Sequence, residues 1–248
     1  MAKKRRSRTA SKSYSMPEMS GLYGQPPFEY RDARQMLVVF QTDPRVLRKL
    51  VPRPLTPNKD GTMFIAMSEF FTSGMGSYKE MIIAGIASFK RRPVNFAIYL
   101  VLNNDIAICG GREIWGFPKK FGRVELNERD GVLTGTAERG GIKLVEAAVN
   151  LAEFGTPEDI TGGSYEYVCR KFIPSVSIDA PPEVDQLTST TLTNARVRNV
   201  HKGPATLRFG LSPADSMQDI PVKSVVGGYF YSTDFTLGDG EVIHDYLN

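Results

Sequence analysis

The chain is poor in the residues that common catalytic and metal-binding arrangements need. Two histidines, His201 and His244, are all that 248 residues contain, so a histidine triad or multi-histidine metal centre has little to draw on. The two cysteines, Cys109 and Cys169, have no second Cys or His at zinc-ligand spacing. Neither a disulfide framework nor a zinc ribbon fits, and a reducing, cytoplasmic home is expected. Apolar runs such as Met81–Ala84 and Phe96–Leu102 fall far short of the roughly 18 residues of a membrane-spanning helix. There is no G-x-S-x-G elbow, P-loop or H-E-x-x-H motif. Gly238-Asp239-Gly240 lacks the third glycine and the helix of a dinucleotide fingerprint, so it reads as a turn.

What is present is an ordinary globular composition, 41% hydrophobic and 23% charged, sufficient for a packed core. The net charge of +4 is unevenly placed, because Lys3, Lys4, Arg5, Arg6, Arg8 and Lys12 all lie in the first twelve positions. Without those six, 25 basic residues face 27 acidic ones. The basic character therefore belongs to a tail, read as a disordered extension over residues 1–20, and not to a nucleic-acid-binding fold. Residues 21–248 read as one domain, and nucleic acid is not an expected partner.

Within that domain, β-branched and aromatic stretches recur between turn signals. Met36–Gln41, Thr62–Phe71, Val94–Leu102, Gly131–Ala137, Thr206–Leu211 and Val225–Phe235 suit strands. Helices are expected to be few and short. Asp43-Pro44 is the best start, with Asp as cap, Pro at the first helical position, Val46, Leu47 and Leu50 on one face, and Pro52 and Pro54 as the stop. Thr156-Pro157 and Ser212-Pro213 repeat the arrangement. Ile178–Asn194, with Pro181-Pro182 and a Ser/Thr run, reads as a loop. The pattern predicts a mostly antiparallel sheet, curled into a barrel or sandwich, with helices at its margins.

One segment concentrates chemistry: Gly110-Gly111-Arg112-Glu113-Ile114-Trp115-Gly116-Phe117-Pro118-Lys119-Lys120-Phe121-Gly122. Gly116 and Pro118 discourage a helix and push Phe117 toward an extended conformation, so Lys119 is expected to leave a fixed turn. An amine attacks a carbonyl only when neutral, and at an ordinary pKa of about 10.4 few lysines are neutral at pH 7. Burial among apolar groups favours the neutral form, and Lys120 adds repulsion if it points the same way. On composition alone, adjacent lysines read as a solvated surface pair. Arg112 and Glu113 read as a pair that fastens the turn.

The motif G-R-E-I-W-G-F-P-K-K-F-G resembles the lysine-bearing segment of the acetoacetate decarboxylase family. Phe40–Leu55 is similar to that family's segment around its first helix, and Thr72–Glu80 resembles its T-S-G-x-G-x-Y-x-E. Gly203-Pro204-Ala205, Ile220-Pro221-Val222 and Glu241–Leu247 fit as well, extending the likeness over most of the chain. The resemblance implies an α+β fold whose mostly antiparallel sheet closes into a cone-like barrel with a few short peripheral helices. It implies Lys119 as the Schiff-base lysine and Glu80 as the active-site glutamate, orienting groups around the imine or moving a proton. Trp115 and Phe117 would line or support the apolar pocket. It further implies a homo-oligomer and β-keto acid decarboxylation with no metal or organic cofactor.

Carboxylate handling departs from the family pattern. Aligning through Thr42-Asp43 puts Ala33 where the family carries an arginine. Arg31, two residues away, is the better substitute if the segment is extended, because a two-residue displacement preserves side-chain direction on a strand. Of residues 62–69, only Glu69 could replace the family's second acid, and it is out of register. Two alternatives stay open: a Schiff-base aldolase, dehydratase or hydrolase of pyruvate-like keto acids, and a non-catalytic small-molecule-binding barrel.

Overall fold

The computed structural model describes residues 14–72, 74–161 and 163–248. The expected disordered tail lies mostly outside them. Its described end, residues 14–20, runs as bends and turns, with Ser15 buried and exchanging hydrogen bonds with the Tyr23 backbone at 2.8 and 3.0 Å.

The first half of the domain contains β1 (Phe28–Gln41), helix α1 (Pro44–Leu50), β2 (Thr56–Pro57), β3 (Thr62–Thr72), β4 (Gly76–Phe89) and β5 (Arg92–Leu102). Helix α2 (Asp105–Gly110) then runs into a π-helical turn, Gly111–Trp115, and leads to the short β6 (Lys119–Phe121). Next come β7 (Arg123–Arg129), β8 (Val132–Arg139), β9 (Ile142–Asn150), β10 (Glu153–Phe154) and helix α3 (Pro157–Thr161). The chain finishes with β11 (Glu166–Ile173), β12 (Val184–Gly203), β13 (Ala205–Phe209), a 3-10 turn at Met217–Asp219, and β14 (Ser224–Asp245).

Hydrogen-bonded neighbours follow the order β4-β3-β1-β14-β12-β11-β5, and β5 pairs back onto β4. The result is a partly ring-like sheet. Two of its joints are parallel, β11 with β5 and β5 with β6, and the remaining pairings are antiparallel. A second, four-stranded sheet, β13-β9-β8-β7, packs against the outer side of the ring.

Side-chain alternation along the ring strands builds two separate cores. Met36, Val38 and Phe40 of β1, Met63, Ile65 and Met67 of β3, and Met81 and Ile83 of β4 point outward and pack with Leu133, Ala137, Val145 and Val149 of the second sheet. The alternate residues, including Phe64, Ala66 and Phe70 of β3 and Tyr78 and Ile82 of β4, turn inward with Tyr30 and Phe235. Gly135 allows the two sheets to approach: a Cβ there would lie 2.4 Å from Met36 Cε and 2.5 Å from Met67 Sδ. The inner core surrounds space, and the site lies there.

The six expected strands are present, most of them longer than their apolar signal, and Asp43 caps α1 by accepting a hydrogen bond from the Arg45 N–H at 2.8 Å. Thr156-Pro157 opens α3 as expected. Three expectations are corrected. Ile178–Asn194 is a loop only in its first part, because β12 begins at Val184; its Ser/Thr run gains partners on β11 and β14. Ser212-Pro213 starts no helix, since Ser212 Oγ accepts from the N–H groups of Ala214 and Asp215 in a tight turn. Gly238–Gly240 lies within β14 and makes no turn; a Cβ at Gly240 would sit 3.0 Å from Trp115 Cδ1, so the glycine lets this strand pass the indole.

Candidate active site

Lys119 is delivered to the inside of the ring by a sequence of local stops. Asn104 caps α2 by accepting from the Ala107 N–H at 2.8 Å, and the helix continues as a π-turn to Trp115. Helical structure therefore persists further into the motif than expected. Gly116 then ends it in the left-handed region at φ 77°, where a Cβ would lie 2.5 Å from Lys171 Cα. Phe117-Pro118 carries the chain into β6, where Lys119 aligns beside Leu100 of β5. Arg112 donates to the Lys119 carbonyl at 3.2 Å, and Glu113 accepts from the Tyr23 hydroxyl. Those two residues were expected to pair with each other; each instead ties the turn to a different neighbour.

Glu80 projects inward from β4, and its Oε2 lies 2.8 Å from Lys119 Nζ. Both side chains are buried, at 8% and 11% exposure, so this ion pair is shielded from the water that weakens surface pairs. The Nζ stands 5.5 Å from the centre of the Phe117 ring and 5.8 Å from that of Tyr78. Together with Tyr30, Ser68, Phe70, Ile82 and Phe235 these groups enclose a cavity of about 70 Å³. The Tyr30 and Tyr78 hydroxyls lie 3.0 Å apart; burial raises both phenols above their ordinary range, keeping them neutral hydrogen-bonding groups. Burial also raises the Cys169 thiol, which disfavours a thiolate.

The other expected site residues are placed differently. Lys120 points to the opposite face, as strand alternation demands, with its Nζ 2.6 Å from Asp215 Oδ1 and 5.1 Å from the Tyr99 ring centre. It is therefore not a cationic neighbour aimed at Lys119. Arg31 is 58% exposed and paired with Glu29. The pairing of β1 shifts between Tyr30 and Ala33, with Asp32 at φ 48°, so an irregularity defeats the two-residue argument that favoured Arg31. Ala33 is fully buried in the inner core. Arg34 and Lys79 both pair with Glu69, at 3.2 and 2.9 Å, away from the cavity lining. Phe117 lines the cavity, whereas Trp115 packs against Phe117 and Phe28 and donates Nε1–H to the Gly238 carbonyl at 3.1 Å.

Sequence reasoning missed the Tyr30–Tyr78 pair, Gln35 and Ser68. Tyr78 had an available signal: it lies two residues before Glu80 and therefore faces the same way on a strand. Gln35 and Ser68 oppose one another across β1 and β3, a register that no local motif reveals.

This arrangement defines the class, an enzyme of mostly sheet architecture that encloses a lysine and carboxylate inside its main sheet. Comparison with known proteins makes the assignment specific. A family model described as acetoacetate decarboxylase (ADC) matches residues 14–247. Acetoacetate decarboxylase 2 of Mesorhizobium japonicum is 29% identical over 237 residues, covering 95% of this chain and 90% of that protein. The acetoacetate decarboxylase of Acidiphilium cryptum is 30% identical over 239 residues, covering 95% and 96%. The crystal structure of acetoacetate decarboxylase from Legionella pneumophila superposes with a TM-score of 0.89 at 26% identity, covering 95% of each chain. The chain belongs to the acetoacetate decarboxylase family, a family of carboxy-lyases.

Proposed function

We propose that the protein decarboxylates a β-keto acid, acetoacetate or a relative, through a Schiff base on Lys119. The observation that carries this reading is the buried Lys119–Glu80 contact at 2.8 Å, facing a largely apolar cavity. Lys119 Nζ must release a proton before it attacks, and Glu80 is the hydrogen-bonded acceptor. Attack on the ketone carbon gives a carbinolamine; Glu80 returns the proton to its oxygen, water leaves, and a protonated imine forms. The bond to the carboxylate carbon then breaks, its electron pair moves into a new carbon–carbon double bond, and the iminium nitrogen takes up the displaced pair. Carbon dioxide departs. Protonation of the enamine carbon and hydrolysis release the ketone and restore Lys119.

The cavity walls favour that departure. Among the described lining residues, Lys119 and Glu80 are the only charged ones, so the substrate carboxylate exchanges water for an apolar, hydroxyl-bearing surface. The ring interior reads as the cone-like barrel implied by the resemblance. Exposed Phe121, Phe154 and Leu211 are available to a homo-oligomer interface, and the free Cys109 and Cys169 are compatible with the reducing cytoplasm.

Borohydride trapping with acetoacetate, read by intact mass and carbon dioxide release, tests the mechanism. An adduct lacking the carboxylate is expected in the native protein and not in Lys119→Ala. A pyruvate adduct that keeps its carboxylate, without gas from acetoacetate, would replace this reading with aldolase-type chemistry. Absence of any adduct would favour a binding barrel.

A further inference from the structure

The Lys119 cavity adjoins a second one inside the ring. Gln35, Ala66, Tyr167, Leu192 and Phe235 line both it and a second cavity of about 260 Å³. Along β1 the inward residues Gln35, Leu37 and Val39 carry the wall from one space into the other. At about 3.3 Å per residue, the step from Gln35 to Val39 spans roughly 13 Å. Phe64 on β3 and Ile86 on β4 line the same second cavity.

Several polar groups along this path have partners. Tyr231 donates to Gln35 Oε1 at 3.1 Å, Asn95 donates to the Ser164 carbonyl at 2.6 Å, and Asp159 is held by Lys202 at 3.2 Å. Among the described residues lining the two cavities, Lys119 is the only cation. The second cavity therefore has no positive side chain for another acidic group on a substrate, and its β1, β3 and β4 wall suits hydrocarbon. Acetoacetate places only a methyl group on the far side of its ketone, too short to enter this space from Lys119.

We propose that the second cavity is the seat of an alkyl tail, and that the preferred substrates are β-keto acids with several carbons beyond the ketone. This rests on the Schiff-base reading. The reaction balances as for acetoacetate: a 3-oxoacid anion and one proton give carbon dioxide and the methyl ketone, so 3-oxooctanoate yields 2-heptanone.

The test compares kcat/KM for acetoacetate, 3-oxohexanoate and 3-oxooctanoate in the native protein, Val39→Trp and Ile86→Phe, with folding checked by circular dichroism. Transfer of each added methylene into an apolar site predicts about a four-fold gain, or roughly fifteen-fold for 3-oxohexanoate over acetoacetate. Both substitutions fill the second cavity and are expected to reduce that ratio toward one. A native ratio of one or below, with acetoacetate turned over, overturns the tail site and leaves the Schiff-base reading standing. Calorimetric binding of 2-heptanone against acetone supplies a readout independent of turnover. If no keto acid reacts and no imine is trapped, the Schiff-base reading fails, and equal binding of the two ketones then overturns the cavity assignment as well. Tighter 2-heptanone binding, weakened by either substitution, supports the cavity as an alkyl site.

Discussion

Lys119 and Glu80 share one buried hydrogen bond, yet their replacements are expected to act differently. Lys119→Ala removes the proposed nucleophile and is expected to eliminate the trapped adduct. Glu80→Gln keeps the shape and loses the proposed proton acceptor; a drop in kcat of about 10²- to 10⁴-fold is expected for a lost acid–base group, with KM changing less. Steady-state kinetics on both variants checks this split. Gly111 offers a subtler probe, because a Cβ there would lie 2.7 Å from Lys119 Cδ and Cε. Gly111→Ala must displace the lysine side chain and is expected to slow imine formation by at least about tenfold, given the sensitivity of catalysis to small misplacements. Its thermal midpoint should change little, since the obstacle is a flexible side chain. A normal trapping rate would refute the argument.

At the scale of elements, the turn from the π-helical segment into β6 decides where Lys119 points. Gly116 performs two tasks there: it takes φ 77° and leaves room for the Lys171 backbone. Gly116→Ala is expected to destabilise the protein by more than the approximately 1–2 kcal/mol of a left-handed residue with a side chain, because the steric obstacle is main chain. Chemical denaturation measures it. The local motif marked this turn through Gly116 and Pro118, and it also marked Asp43 as the cap of α1. It did not reveal that Lys120 faces Asp215, because Asp215 arrives from a segment 95 residues away. Nor did it reveal the start of β12 at Val184, where non-local pairing with β11 outweighs a polar local composition.

For the whole molecule, Asp234 is one fastening of the ring. From β14 it accepts from Arg198 of β12 at 2.9 and 3.0 Å and from the Asp32 N–H of β1 at 2.8 Å. The Arg198 hydrogen bonds, followed by that of the Asp32 backbone, lower its carboxyl from 3.8 to about 2. A lowered folded-state pKa contributes stability that is present above the unfolded value and lost as pH falls through the folded one. This contribution is therefore complete above about pH 4 and disappears on acidification through about pH 2. Asp234→Asn is expected to lower stability at neutral pH and flatten its decline across that window, as measured by thermal unfolding at several pH values.

By itself the sequence determined the dominance of strands, the cap and length of α1, the glycine–proline turn before Lys119, and the motif that singled out Lys119 and Glu80. Each depends on residues close in sequence, where backbone preference and period-two alternation act directly. Tertiary structure decided what those residues face. It brought Glu80 to Lys119 across β4 and β6, paired Tyr30 with Tyr78, turned Lys120 toward Asp215, left Arg31 at the surface, and set a second cavity beside that of Lys119. These outcomes depend on strand register, an irregularity at Asp32 and closure of β5 onto β4. Such contacts form between distant segments only when their apolar faces are buried together, which local composition does not specify.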